Sequence, residues 1–291
     1  MGEQSYLNLC QEVLEKGHYR PTRNGHTYSL FGKHLEFDLR NSFPLLTTKK
    51  MFFRGIFEEL NFFLSGSTNS KILEEKGVNI WKANTSKEFI ASQNLNYEEG
   101  DIGALYFYQI YHFNAPYEGC LANYEGKGFN QFEQVIHLLK TDRFSRRILM
   151  TTYNPLQAEE GVLYPCHGIT IQFAVEGTNE LCCHMYQRSA DIFLGLPFNI
   201  ASYSLLTIIL CNILNNEVED KFVPGKLCIS LGDCHIYEQH IEAVRTQLSR
   251  EPLPFPQLEI INMTTLENIT IDNCHLTNYV YHPAIKADMI A

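Results

Sequence analysis

Ile169-Thr170-Ile171-Gln172-Phe173-Ala174-Val175 and Leu181-Cys182-Cys183-His184-Met185-Tyr186 are two β-rich runs in succession, and the next long apolar stretch is residues 200–214. Runs dense in β-branched and aromatic residues read as strands. Residues 200–214 are apolar on most sides, which predicts a buried helix. Around this centre, residues 147–153 and 227–231 read as further strands, and residues 237–248 as an amphipathic helix. Strands and helices mix without strict alternation, so the pattern predicts an α+β fold rather than a doubly wound one.

The first half adds more elements. Residues 6–16 read as a helix, and residues 28–31 and 35–39 as short strands around a Gly32-Lys33 turn. Residues 53–64 carry apolar side chains at helical spacing, with Glu58 and Glu59 embedded and Gly66 as the stop signal. Residues 129–140 place Phe132, Val135, Ile136 and Leu139 on one helix face. No repeat, low-complexity tract or linker interrupts the chain, so residues 1–291 read as one domain.

Of the 291 residues 45% are hydrophobic and 19% charged, enough apolar material for a sizeable core and too little charge for disorder. The net charge of −10 argues against non-specific binding to nucleic acid or to anionic membranes. A small anionic substrate stays open, since a few clustered arginines make a positive pocket. No basic segment leads into an apolar run at the amino terminus, and Tyr6 stands where a myristoylation site needs Ser or Thr. The longest strongly apolar stretch, residues 203–214, is too short to span a bilayer. Nine cysteines without CxxC spacing suit neither a disulfide framework nor a zinc site. The expectation is a soluble protein of a reducing, cytoplasmic compartment, with no metal and no membrane.

Three groups can carry chemistry. Cys166, within Tyr164-Pro165-Cys166-His167, is a candidate nucleophile, and equally a buried structural cysteine. Arg146-Arg147 and Gln187-Arg188-Ser189, with Asp191 after it, sit at predicted strand ends. Their guanidinium forks suit phosphate or carboxylate, although a solvated strand edge would look the same. Gly232-Asp233-Cys234-His235-Ile236-Tyr237 follows an apolar strand, and Asp233 there could be a helix cap. These residues point to a phosphate-bearing ligand and a cysteine nucleophile.

Pro165-Cys166-His167, Gln187-Arg188-Ser189, Pro197-Phe198-Asn199-Ile200-Ala201-Ser202-Tyr203 and Leu231-Gly232-Asp233-Cys234-His235-Ile236-Tyr237 resemble the thymidylate synthase family in order and spacing. So do Phe43-Pro44-Leu45-Leu46-Thr47-Thr48-Lys49-Lys50, Gly66-Ser67-Thr68-Asn69 and Asn79-Ile80-Trp81 upstream. The resemblance runs from about Tyr6 to Ala291. It implies a large mixed β-sheet flanked by helices, with sheets packing across a homodimer interface. It also implies conversion of dUMP to dTMP with 5,10-methylenetetrahydrofolate as one-carbon donor and reductant.

By this resemblance Cys166 attacks uracil C6, and the charge of Arg188 favours its thiolate. Arg23, Arg188 and Ser189 hold the phosphate together with Arg146 and Arg147 from the neighbouring subunit. Gln187 and Asn199 belong to the nucleotide site, and Asn199 reads the uracil edge, donating to O4 and accepting from N3–H. His235 and Tyr237 meet the deoxyribose 3′-hydroxyl. Glu59 organises water near O4, with Tyr106 and His167 beside that network. For the folate, Asp191 matches the pterin-binding carboxylate. Ile80, Trp81, Asn84, Leu194, Gly195 and Phe198 match the surrounding pocket, Lys49 the glutamate tail, and the segment ending at Ala291 a closing tail.

Some positions depart from the family pattern. The stretch Thr22-Arg23-Asn24-Gly25-His26-Thr27 is one residue short, Phe107 stands where Gly is usual, Ile110 and Tyr111 replace Trp-Arg, and Asn61 replaces an apolar residue. The rival on the same fold is a nucleotide hydroxymethylase, in which water captures the exocyclic methylene. Asn199 argues against its dCMP form, and Trp81, screening the methylene from water, against its dUMP form. An RNA-binding or structural role has only the acidic charge to set beside it, and that charge points the other way.

Overall fold

The computed structural model describes residues 2–263, 265–266 and 269–290. A six-stranded mixed sheet runs in the order β1 (His18–Thr22), β2 (Gly25–Asp38), β6 (Val223–Tyr237), β5 (Glu180–Asp191), β4 (Thr170–Glu176), β3 (Leu149–Met150). Only β5 and β6 pair in parallel. A two-stranded ribbon, β7 (Gln257–Ile260) with β8 (Cys274–Thr277), lies apart from it. The predicted α+β class holds.

One face of the sheet is the core. Leu35 and Phe37, Leu227 and Ile229, Cys183 and Met185, and Ile171 and Phe173 are all buried there. Helices α1 (Glu3–Lys16) and α7 (Gly195–Asn215) pack against the sheet. At 21 residues α7 is long and apolar enough to cross a membrane, yet 72% of its most apolar 18-residue stretch is buried inside the protein, which marks a core helix. It starts at Gly195, before the predicted residue 200, with Pro197 in the first turn, where its missing N–H costs no helical bond. The other face of the sheet is open. Its register rows align Leu149, Gln172, His184, Cys228 and Glu36, and beside them Thr170, Tyr186, Ser230 and His34. Leu149, His184 and Tyr186 are exposed on it.

Four other expectations change. Residues 25–38 form one strand, so Gly32-Lys33 is no turn. Gly32 has φ +74°, but the ladder to β6 resumes on both sides of it. The real hairpin turn is Arg23-Asn24 between β1 and β2, which accommodates the shortened loop. Strand β5 continues through Gln187-Arg188-Ser189 to Asp191, and β6 through Asp233 to Tyr237, so neither polar cluster lies beyond a strand end, and Asp233 caps no helix. The predicted strand 147–153 shrinks to two residues, and 237–248 divides into a 3-10 turn, Glu238–His240, and α8 (Ile241–Leu248). Helix α2 occupies Phe53–Leu64 as predicted, and α6 spans Gln131–Thr141 with Asn130 accepting the Glu133 N–H as its cap. Of three short helices, α3 (Lys71–Glu75), α4 (Lys87–Ser92) and α5 (Phe107–Tyr111), the first and last pack on α2.

Candidate active site

Parallel pairing of β5 with β6 sets Ser189 beside Asp233 and Asp191 beside His235. Two polar clusters more than forty residues apart thus meet at one end of the sheet. There a cavity of about 1000 Å³ opens between the strand ends, α2, α7 and the C-terminal tail.

Cys166 enters it from the loop between β3 and β4. Its carbonyl accepts the backbone N–H of Arg188 at 2.8 Å, while Arg188 Nε donates to the Pro165 carbonyl at 3.0 Å. Strand β5 therefore clamps the loop on both sides of the sulfur. Gly168 completes the bend at φ +63°, and a Cβ there would collide with the Tyr203 hydroxyl. Burial pushes the Cys166 thiol up, and the Tyr106 hydrogen bond and Arg188 charge pull it down less strongly. The expected Arg188 effect is present, but desolvation outweighs it, so the resting group is a thiol.

Tyr106 holds its hydroxyl 3.5 Å from the Cys166 sulfur. Its backbone sits at φ +47°, a strained setting for a side-chain-bearing residue, of the kind found at functional sites. The ring stacks on His167 at 4.3 Å and meets Phe63 at 5.2 Å and Trp81 at 6.0 Å. Phe107 stacks on the other side of this wall, parallel to Phe63 at 5.8 Å. Burial pushes His167 down to about 4, leaving a neutral imidazole whose Nδ1 bonds the Tyr203 hydroxyl at 2.9 Å. Glu59, on α2, accepts the Trp81 indole N–H at 2.9 Å, and burial pushes its carboxyl up to about 7. A carboxyl so placed can give and take protons near neutrality.

Asn199 projects from α7, and its Nδ2 donates to Gln187 Oε1 at 3.1 Å. Gln187 in turn donates to the Ser189 carbonyl at 3.1 Å. The amide is thereby oriented with its oxygen and second N–H unspent by this chain of bonds. His235 Nδ1 lies 2.8 Å from Asp233 Oδ1, and Tyr237 meets the His235 ring edge-on. Asp191 Oδ1 accepts the N–H groups of Phe193 and Leu194 at 2.9 and 3.2 Å. Ile80, Trp81 and Asn84 line the cavity with Leu194, Gly195 and Phe198, giving apolar walls beside one carboxylate. That set fits a flat heteroaromatic ring with N–H donors at its edge, as a pterin is.

Among the expected residues, Arg23, Glu59, Tyr106, Cys166, His167, Gln187, Arg188, Ser189, Asp191, Asn199, His235 and Tyr237 share this cavity with the six pocket residues. Lys49 does not line it. Glu3 accepts hydrogen bonds from the backbone and hydroxyls of Thr47 and Thr48, which turns the next side chain inward. The Lys49 ammonium is buried against the Phe193 carbonyl, 3.7 Å over the Phe193 ring. Desolvation lowers it to about 8. Arg146 and Arg147 are exposed, lead into β3 and do not line the cavity. Ala291 lies outside the described residues, but Met289 and Ile290 reach the cavity.

The structure adds Arg20, Asp233 and Tyr164 to the lining. Asp233 accepts from Ser29 at 2.8 Å and pairs with Arg20, so it is a hub inside the sheet. Arg20 carries no local signal, because its place depends on the β1–β2 register.

The thymidylate synthase family model matches residues 4–291. The chain is similar to the thymidylate synthase of Human herpesvirus 8 type P, 44% identical over 290 residues, covering 99% of this chain and 84% of that protein. It is similar to thymidylate synthase 1/2 of Encephalitozoon cuniculi, 43% identical over 294 residues, covering 99% and 97%. It is similar to the thymidylate synthase of Saccharomyces cerevisiae, 41% identical over 300 residues, covering 99% and 96%. With a match that leaves out only the first three residues and a cavity built around Cys166, Arg188 and Asn199, this chain belongs to the thymidylate synthase family.

Proposed function

We propose that Cys166 is the nucleophile in the reaction this chain carries out, the reductive methylation of dUMP to dTMP with 5,10-methylenetetrahydrofolate, which leaves as dihydrofolate. The observation that carries this reading is the Tyr106 hydroxyl 3.5 Å from a Cys166 sulfur whose loop is clamped by Arg188. Attack forms a sulfur–C6 bond and moves the electron pair toward C5 and O4, making C5 nucleophilic. Glu59, poised near neutrality, supplies and recovers protons at O4 through water. Tyr106 and His167, both neutral, order that water, and the water receives the C5 proton. Asn199 orients the uracil, Arg23, Arg188 and Ser189 take the phosphate, and His235 and Tyr237 take the 3′-hydroxyl. The folate supplies the one-carbon unit and the hydride. Asp191, Trp81 and the apolar walls hold it, and the tail excludes water.

We assign the remaining phosphate charge to Arg146 and Arg147 of a second copy. They lead into β3, whose Leu149 lies on the open face of the sheet, so a copy packed on that face would meet them. All nine cysteines are free thiols, a state that a reducing cytoplasm maintains. The whole of residues 1–291 acts as one catalytic unit.

The test is product identity after incubation with dUMP and 5,10-methylenetetrahydrofolate. Dihydrofolate with dTMP is expected. Tetrahydrofolate with 5-hydroxymethyl-dUMP would mean a hydroxymethylase, against which stands the Trp81 indole, fixed by Glu59.

A further inference from the structure

His240 is 2% exposed and belongs to the 3-10 turn that follows β6. Its ring is wedged between Phe193, at 5.5 Å, and Tyr237, edge-on at 5.7 Å. Nε2 lies 2.9 Å from the carbonyl of Asp288 in the C-terminal tail. A carbonyl only accepts, so Nε2 carries the hydrogen. Nδ1 is buried without a hydrogen-bond partner and points at Asp191, 3.9 Å from Oδ2. Asp191 Oδ1 is occupied by the Phe193 and Leu194 N–H groups, so Oδ2 is the oxygen that faces both the ligand space and His240.

We propose that His240 is a positioning residue that couples the C-terminal tail to the folate-holding carboxylate Asp191. This rests on the reading of the cavity given above. A flat, rigid ring held on both sides cannot shift one nitrogen without shifting the other. The tail is tied by one nitrogen, and Asp191 stands at the other. Other ties hold the tail upstream, from His282 N–H to the Thr47 carbonyl, from Arg250 to the Pro283 carbonyl and through Ile285 and Ala287 packed on the core, and the Asp288 carbonyl is the hydrogen-bonded point beside Met289 and Ile290. Order in the tail therefore favours one setting of Asp191, and a ligand on Asp191 favours an ordered tail. The coupling is reciprocal by thermodynamic necessity.

Two variants separate the two nitrogens. In His240→Gln the amide nitrogen falls near the Nε2 position and still donates to Asp288. In His240→Asn the amide falls near Nδ1 and does not reach the tail. Tetrahydrofolate, which lacks the one-carbon unit, is titrated calorimetrically into protein saturated with dUMP. Trypsin cleavage after the exposed Lys286 is followed by mass spectrometry with and without both compounds. We expect His240→Asn to weaken tetrahydrofolate about tenfold or more, to leave dUMP affinity within about twofold, and to lose ligand protection of Lys286. His240→Gln should stay within about threefold and keep the protection. Tetrahydrofolate affinity unchanged in His240→Asn, or equal loss of dUMP and folate affinity in both variants, overturns the coupling. Wild-type protein that takes up neither compound overturns the functional reading as well. Wild-type protein that binds both, with a tail insensitive to them, overturns the coupling alone.

Discussion

The Trp81 indole donates its N–H to Glu59 at 2.9 Å, and this is the side-chain hydrogen bond that offsets part of the burial of that carboxyl. Burial wins, and the group titrates at about 7. An acid whose folded pKa is raised keeps its proton in the folded state while the unfolded chain has lost it. Between the unfolded value, near 4.5, and the folded value, near 7, stability falls as pH rises. Glu59→Gln removes that loss. Chemical denaturation at fixed protein concentration should show the variant gaining on wild type by about 2–3 kcal/mol between roughly pH 5 and pH 8. Turnover should drop about 100-fold, because the amide cannot shuttle a proton. A stability difference that does not change with pH would mean Glu59 is not held near neutrality.

Cys166→Ser should reduce turnover by at least about 1000-fold while dUMP affinity stays within a few fold, since Asn199 and the arginines are untouched. The burial that raises the thiol weighs far more heavily on an alcohol, whose ionisation lies several units higher. Turnover within tenfold of wild type would remove the nucleophile assignment.

Phe107 stands where the family pattern has Gly, and its ring lies parallel to Phe63 at 5.8 Å, with Phe63 against Tyr106 and Trp81. It therefore braces the wall that holds Tyr106 in its strained backbone. Phe107→Ala should cost about 3–4 kcal/mol in stability, the usual loss for a buried phenylalanine. It should also lower kcat about tenfold with KM for dUMP unchanged, because the Tyr106 hydroxyl loses its fixed distance to sulfur. A stability loss with kcat intact would show that the strain is held without this ring.

Much of this was legible in the sequence, and the exceptions have physical causes. Helix α2 and the centre of α7 follow from apolar periodicity and composition, which local sequence reports directly. Gly32 reads as a turn because glycine is a usual turn residue, yet eleven residue pairs with β6 keep the strand continuous through it, and local chemistry cannot announce that ladder. Gln187-Arg188-Ser189 and Asp233 look like loop residues because they are polar. They are strand residues whose side chains a cavity requires to be polar. Helix α5 is five residues long and held by Gln131 and Gln157 bonds to Gln109 and Ala115, all of them tertiary. Lys49 does not line the cavity, and the Glu3 bonds to Thr47 and Thr48 that set the chain just before it come from 46 positions earlier.

If Arg146 and Arg147 serve a neighbour's phosphate, inactive Arg147→Ala and inactive Cys166→Ser proteins should complement each other. After subunit exchange, a mixed dimer holds one pocket with both wild-type residues. At equal amounts about a quarter of wild-type activity should return. No recovery despite demonstrated exchange would count against shared pockets and place Arg147 in the pocket of its own subunit, and an active monomer would end the shared-pocket reading.

The proposed base-reading residue is Asn199, whose Nδ2 donates to Gln187 Oε1 at 3.1 Å. Asn199→Asp removes that donor and sets two acceptors against each other in a position only 8% exposed. Turning the Gln187 amide so that its N–H faces the new carboxyl relieves that clash, and burial favours the protonated acid, whose one O–H is then left for the base. A protonated carboxyl can donate to cytosine N3 and accept from its N4 amino group, a matched pair, whereas an ionised one faces uracil O4 with charge. A mismatched buried hydrogen bond costs about 1–3 kcal/mol, so preference for dUMP over dCMP should fall roughly 5- to 150-fold. The measurement is the ratio of kcat/KM for the two nucleotides in each protein. Because the effect needs the proton, the gain for dCMP should fade as pH rises past the value at which the new carboxyl ionises, while Asn199 itself gives a ratio without that dependence. A ratio unchanged by the substitution would mean that Asn199 only props Gln187 and that the uracil edge is read elsewhere.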